Sequence, residues 1–180
     1  ELKINSETVQ LPLKAFIKEW KEGVDDVRDE GYRQSVWQEV TSAADKYNNP
    51  QKFTAFIGFE WSAKNLVGNL HRVVIFEDNA EKANQILPFS VFDSQNPKDL
   101  WRYLERYEQK TGGRILVIPH NANLSNGRMF ALIDRDGQPL NRVYAETRSR
   151  WEPLLEVSQA KGDSETHPLL SPEDEFADFE

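Results

Sequence analysis

Three histidines and a complete lack of cysteine decide which metal or catalytic chemistry this chain of 180 residues could carry. Without a thiol there is no cysteine nucleophile and no zinc finger, so any bound metal must be held by histidine and carboxylate groups. His71, His120 and the acidic residue Glu60 each lie next to an apolar run. Two imidazoles and one carboxylate suit Zn, Mn or Fe. Because a metal-bound water is a nucleophile near neutral pH, the chemistry indicated is hydrolysis.

Two predicted strands position Glu60 and His71. Residues 53–59 are apolar on both faces of a possible strand, which predicts a buried strand that Glu60 immediately follows, and residues 70–76 form a second strand-like run. An antiparallel pairing around Gly68 would bring both side chains to one edge of the sheet. A carboxylate that ends so apolar a strand is costly unless it is paired or coordinated.

His120 reaches the same edge from a third predicted strand. The β-branched run 115–118 predicts a short buried strand. His120 follows that strand at its carboxyl end, where loops converge in α/β sheets and barrels. The predicted metal ligands and catalytic residues are therefore Glu60, His71 and His120. The alternative is that these histidines are structural residues with satisfied hydrogen bonds.

Helices alternate with these strands and indicate the fold class. Helical spacing predicts helices near residues 13–20 and over residues 36–47 and 143–151, and a further strand over residues 154–157. Asn96, Pro97 and Asp99 predict the start of a strong helix, which the glycines at 112 and 113 end. This alternation predicts a single α/β domain, arranged as a layer or a barrel with one antiparallel hairpin.

Composition excludes several classes of function. The chain has 22 basic and 30 acidic residues, a formal charge of −8, which leaves no basic excess for nucleic acid or an anionic membrane. The longest apolar run, residues 129–133, is far too short to span a bilayer, and no targeting signal is visible. We therefore expect a soluble protein, either cytoplasmic or exported after removal of a signal.

The candidate ligands lie within three segments, residues 53–61, 69–72 and 118–121. These segments resemble the middle of the PHP (polymerase and histidinol phosphatase) superfamily, and more closely a large, mainly bacterial branch known only as a domain of unknown function. The similarity extends over essentially the whole chain, including residues 161–168 and 174–178. It implies a distorted seven-stranded (β/α) barrel with two or three divalent metal ions at its mouth. It also implies Glu60, His71 and His120 as ligands and a small anionic phosphate ester as substrate.

Other metal-binding motifs of that superfamily are absent from the sequence. There is no His-x-His, no Asp-His step and no Asp-x-His step, so the chain retains three of about eight or nine ligands. We therefore expect residues 1–180 to be an internal segment of a larger PHP-like catalytic domain. The parent protein is expected to be a metal-dependent phosphoesterase, and this segment is expected to be inactive alone.

Further candidate residues lie around these ligands. Lys161 is predicted to bind a phosphate oxygen, because an anionic ester needs a cation. The resemblance implies that His167 contacts the substrate from a loop at the active-site mouth. Asn121 is predicted to contact the substrate or to orient His120, and the alternative is that it caps a turn. Glu156 is a further candidate carboxylate at the barrel mouth, ranked below Glu60. Arg72 is expected to point to the face opposite His71 and to form a structural salt bridge. The aromatic residues at 101, 103 and 107 are expected to pack in the core.

Two other functions stay open at this level. In the first, the chain is a non-catalytic α/β binding or interaction module in which Glu60, His71 and His120 are structural. In the second, it is a mononuclear iron or zinc enzyme of another reaction type, which predicts one metal ion rather than a cluster.

Overall fold

The computed structural model describes residues 29–65, 68–134, 136–159, 162–163, 169 and 172. Its helices are α1 (Glu30–Tyr47), α2 (Ala80–Ala83), α3 (Pro97–Thr111) and α4 (Arg142–Trp151), with a 3-10 turn at Ala122–Leu124. Its strands are β1 (Ile57–Asn65), β2 (Gly68–Phe76), β3 (Ile115–Pro119), β4 (Ser158–Gln159) and β5 (Gly162–Asp163). The predicted mixed α/β class is confirmed for this part of the chain. The helix predicted near residues 13–20 lies outside the described residues.

The main sheet has three strands in the order β1-β2-β3, and both pairings are antiparallel. The predicted hairpin between the first two strands is confirmed, with Ile57 opposite Phe76 and Asn65 opposite Gly68. As described, this sheet is open rather than closed. The seven-stranded barrel stays a prediction.

The two faces of the sheet have different environments. On one face the side chains of Trp61, Val74 and Val117 are buried in a core to which α1, α3 and α4 contribute. Because side chains alternate along a strand, their neighbours project from the other face. On that second face, Val73, Ile75, Leu116 and Ile118 are half-buried.

Helix α3 begins and ends at the predicted residues. The side chain of Asn96 accepts a hydrogen bond from the Lys98 N–H at 3.1 Å, and Pro97 occupies the first turn. At the other end, Gly112 adopts a left-handed conformation with φ 61°, and its N–H bonds to the Glu108 carbonyl. Between these caps one face of the helix is buried. The residues at 101, 103 and 107 belong to it, so their predicted packing role is confirmed.

The predicted position of the first strand is wrong. β1 begins at Ile57 and continues to Asn65, so Glu60 is its fourth residue and does not follow it. Phe53 and Phe56 are each 62% exposed, and Phe53 forms an isolated bridge with Asn49 in the turn after α1. The core-facing residues are Ile57, Phe59, Trp61 and Ala63.

The strand predicted over residues 154–157 is also wrong. Leu154, Leu155 and Val157 are exposed, and this segment belongs to no strand. It runs beside the end of β3, where the Glu156 N–H donates to the Pro119 carbonyl at 3.1 Å, and this bond does not extend into a strand ladder.

Helix α1 confirms the helix predicted over residues 36–47, although it begins earlier, at Glu30. Trp37 and Thr41 are its buried residues, whereas Val36 and Val40 are exposed. Among the described residues, no helix combines the length and the apolar character needed to cross a bilayer.

Candidate metal centre

The hairpin places Glu60 and His71 beside each other on the second face of the sheet. Glu60 is opposite Val73 and His71 is opposite Ser62, so the two residues are diagonal neighbours across the strand pair. Such neighbours lie within reach of long side chains. The Glu60 Oε1 and His71 Nδ1 atoms are 3.0 Å apart.

His120 joins them from β3. Pro119, the last residue of β3, is opposite Arg72, and the His120 N–H continues the pairing by donating to the His71 carbonyl at 3.2 Å. This bond holds the two imidazoles near each other, with ring centroids 5.7 Å apart. His120 Nε2 lies 3.7 Å from Glu60 Oε1. The predicted convergence of the three residues is therefore confirmed.

The three side chains can together offer one ligand atom each, all within 4.8 Å of one another. Their side chains are 44% (Glu60), 20% (His71) and 13% (His120) exposed, so the cluster lies at the surface with its imidazoles mostly covered. Two nitrogen donors and one carboxylate oxygen form a set that Zn, Mn and Fe accept.

The surroundings of His120 fit a metal ion. Its Nε2 atom is buried and has no hydrogen-bond partner among the described residues. A buried polar atom left without a partner is costly. A cation bound between His120 Nε2 and Glu60 Oε1 would satisfy it.

Ser62 is a contact that sequence reasoning missed. Its hydroxyl donates to Glu60 Oε1 at 2.8 Å and so orients the carboxylate. The period of two along a strand contained this signal, because Ser62 follows Glu60 on the same face. It was hidden by the misplaced strand, which ended before Ser62.

The predicted substrate contacts have different outcomes. Lys161 and His167 lie outside the described residues. Asn121 lies beside the cluster, where its amide nitrogen is 3.2 Å from His120 Nδ1. Glu156 lies there as well and accepts hydrogen bonds from the Asn121 N–H and from the Gln159 amide. A contact between Asn121 and substrate stays a prediction.

Arg72 does not belong to the cluster. It points to the core face of the sheet, where its Nε donates to Glu152 Oε1 at 2.7 Å. The expectation that this residue forms a structural salt bridge is therefore confirmed.

Comparison with known proteins gives a family and no activity. No curated protein and no solved structure matches the chain. A family model described as "Protein of unknown function (DUF3604)" matches residues 4–180. Because this match covers nearly the whole sequence, the chain belongs to the DUF3604 family of proteins of unknown function.

Proposed function

We propose that this chain supplies part of the active site of a metal-dependent hydrolase that acts on phosphate esters, as its resemblance to the PHP superfamily implies. The observation that carries the proposal is the meeting of Glu60 in β1, His71 in β2 and His120 directly after β3, with ligand atoms within 4.8 Å of one another. Isolated carboxylates are common on protein surfaces. A carboxylate with two mostly buried imidazoles beside it is not an ordinary solvated surface group, and such a cluster indicates a functional site.

The roles of the three residues follow from their contacts. Glu60 Oε1 lies between the two imidazoles and is oriented by Ser62, so this carboxylate would ligate or bridge metal ions. His71 and His120 would hold the metal through ring nitrogens, and the exposed side of Glu60 leaves room for water and substrate. When bound, Zn, Mn or Fe would supply an activated water for attack on phosphorus and would stabilise the developing negative charge.

The three-stranded sheet is consistent with the proposed seven-stranded barrel. Among the described residues, helices pack on the core face, and the second face carries both the cluster and half-buried Val73, Ile75, Leu116 and Ile118. In a barrel surrounded by helices, such a face would be the interior. Asn121, Lys161 and His167 are proposed to contact the ester at the barrel mouth.

We further propose that the chain hydrolyses little or nothing alone. The resemblance implies about eight or nine ligands, of which the sequence holds three. A site with two or three metal ions would need the remaining ligands.

Metal binding by the chain tests the proposal. The chain is titrated with Zn²⁺, Mn²⁺ and Fe²⁺ under anaerobic conditions, and calorimetry measures the binding. The chain should bind metal, and Glu60→Gln and His120→Ala should each weaken that binding. The expected loss of metal affinity is at least about 100-fold, because removal of a residue that only hydrogen-bonds to a ligand already weakens binding by about 10- to 100-fold. Glu146→Gln is the matched control, since this exposed carboxylate pairs with Arg142 one turn earlier on the same helix. Wild-type affinity in both ligand variants would refute the proposal.

The activity of the parent enzyme is a separate test. In a protein that carries the remaining ligands, Glu60→Gln and His120→Ala should abolish the metal-dependent hydrolysis of 4-nitrophenyl phosphate or its diester. Unchanged turnover in either variant would contradict the assigned roles. Robust hydrolysis by the 180-residue chain would contradict the proposed dependence on the missing ligands.

One observation favours a non-catalytic binding module as the second candidate. Glu60 Oε1 and His71 Nδ1 are 3.0 Å apart, so these two side chains can satisfy each other by an ion pair or hydrogen bond without a metal ion. Such a module predicts no metal at this edge, so anomalous scattering at the zinc or manganese edge separates the two functions. The same measurement counts the ions and thereby tests the mononuclear alternative.

A further inference from the structure

A chain of side-chain hydrogen bonds leads from Glu156 to His120. Gln159 Nε2 donates to Glu156 Oε2 at 2.7 Å and to Asn121 Oδ1 at 3.1 Å. The amide nitrogen of Asn121 in turn lies 3.2 Å from His120 Nδ1. We call Glu156, Gln159 and Asn121 the amide relay.

The backbone holds the relay in place. Asn121 has a left-handed conformation, φ 59° and ψ 38°, and its N–H donates to Glu156 Oε2 at 3.3 Å. Asn tolerates this conformation better than most residues. The Glu156 N–H is itself bonded to the carbonyl of Pro119, directly before His120. The carboxylate and the imidazole are therefore tied to the same end of β3.

The charge of Glu156 determines the direction of every bond in the relay. An ionised carboxylate only accepts hydrogen bonds, so the Gln159 amide must present its nitrogen to Glu156. The same nitrogen contacts Asn121, which must therefore present its oxygen to Gln159 and its nitrogen to His120. His120 Nδ1 then accepts, and a neutral imidazole whose Nδ1 accepts carries its proton on Nε2.

This tautomer opposes the proposed metal site. His120 Nε2 is the ring nitrogen that faces Glu60, at 3.7 Å from Oε1, and a nitrogen that carries a proton has no lone pair for a metal. Ligation through Nε2 requires the proton on Nδ1, with Asn121 turned to present its oxygen. Gln159 would then meet either the turned Asn121 amide nitrogen with its own nitrogen or the Glu156 carboxylate with its oxygen. Neither contact is a hydrogen bond.

We propose that the amide relay sets the tautomer of His120, and that metal binding through Nε2 requires the relay to reverse. Asn121, Gln159 and Glu156 are thus positioning residues that act through His120. The metal part of this inference rests on the proposed function, whereas the tautomer part does not. Glu156 would reduce metal occupancy even though it contributes no ligand atom to the cluster.

Nitrogen NMR of the metal-free chain tests the tautomer directly. Imidazole ¹⁵N shifts separate protonated from unprotonated nitrogens, and with three histidines in the sequence the loss of signals in His120→Gln identifies this residue. In mildly alkaline buffer, wild-type His120 should carry its proton on Nε2. Asn121→Asp, whose carboxylate can accept from both neighbours, should move the proton to Nδ1. A wild-type protein with the proton already on Nδ1 would overturn the proposal.

Zinc titration of the same proteins tests the consequence. In Glu156→Gln the new amide can keep its oxygen on the Asn121 N–H and turn its nitrogen to the Gln159 oxygen, which allows the relay to reverse, and zinc should bind about ten-fold more tightly. Asn126→Asp and Glu146→Gln make the same chemical changes at exposed positions and should leave both the tautomer and the affinity unchanged. Equal zinc affinity in wild type and Glu156→Gln would overturn the relay's role.

The two proposals fail differently. No zinc binding by any variant would overturn the proposed function and the role of the relay in metal binding. The nitrogen shifts of the metal-free protein would in that case still confirm or refute the tautomer.

Discussion

At the residue scale, Arg72 and Glu152 form an ion pair that is almost wholly buried. Their side chains are 2% and 1% exposed, and Arg72 also donates to the carbonyl of Leu70. Glu152 accepts further hydrogen bonds from Trp101 Nε1 and Arg148 Nε. The pair therefore joins β2 to the end of α4 on the face of the sheet opposite the candidate metal centre.

Removal of one partner should be far more damaging than removal of both. Arg72→Met leaves a buried carboxylate with fewer hydrogen bonds and should lower the free energy of unfolding by about 3 kcal/mol. The double variant Arg72→Met/Glu152→Met should regain at least half of that loss, because the buried carboxylate is removed with its partner. Arg148 also loses Glu152, but it is 18% exposed and keeps its hydrogen bond to the Met129 carbonyl. Urea denaturation measures both. A single variant within about 0.5 kcal/mol of wild type would contradict this account.

Residue types predicted the cluster, but they did not predict the relay. The sequence predicted that Glu60, His71 and His120 lie together, because their meeting requires only one hairpin and the end of one further strand. Gln159 could not be found, because its position depends on how residues 152–159 pass the end of β3. No local propensity encodes that path.

At the element scale, the β1–β2 hairpin determines the geometry of the candidate centre. Its register sets Glu60 diagonal to His71, and Gly68 at its turn lies against the 3-10 region. A Cβ atom at Gly68 would overlap the backbone carbonyl of Ser125. Backbone cannot yield as a flexible side chain can, so the hairpin end would have to move.

Gly68→Ala should therefore lower the stability of the chain and weaken metal binding together. Gly127→Ala is the control, because it imposes a left-handed conformation, φ 71°, on alanine but meets nothing within 4 Å. That strain alone costs about 1 kcal/mol and should not alter zinc affinity. Thermal unfolding and zinc titration report the two quantities. Equal effects of both substitutions on zinc affinity would show that the turn does not control the centre.

Elements with local signals were predicted correctly, and those without them were not. Helix α3 carries its own caps, from Asn96 to Gly112, so its bounds needed no tertiary information. β1 was misplaced because Phe53 and Phe56 continue the apolar pattern although they lie outside the core. An alternating apolar pattern does not show which residues pack against another layer of the fold.

At the scale of the whole molecule, Asp78 connects several elements at the end of β2 far from the hairpin turn. Its carboxylate accepts hydrogen bonds from Lys82 in α2, Tyr107 in α3 and the Arg114 N–H before β3. Burial alone would raise the pKa of Asp78, but these hydrogen bonds outweigh it, so the pKa lies below its ordinary value of 3.8.

The stability of the chain should consequently depend on this carboxylate and on pH. A folded-state pKa below the unfolded value means that the stabilisation is fully present above about pH 4 and is lost as the pH falls through the folded-state pKa. Asp78→Asn should cost about 2 kcal/mol at neutral pH. The difference from wild type should shrink under more acidic conditions. Urea denaturation across this pH range measures it, and a constant difference would argue against the assignment.

The division of the candidate ligands between a hairpin and a distant strand has a kinetic consequence. Glu60 and His71 are close in sequence, and a hairpin forms in about 1–10 μs. His120 can arrive only after residues 77–114 have closed and β3 has docked on β2. A folding chain therefore offers a metal ion a two-residue half-site first and the third ligand later. Zinc would be expected to accelerate that late docking step while leaving hairpin formation at its own rate.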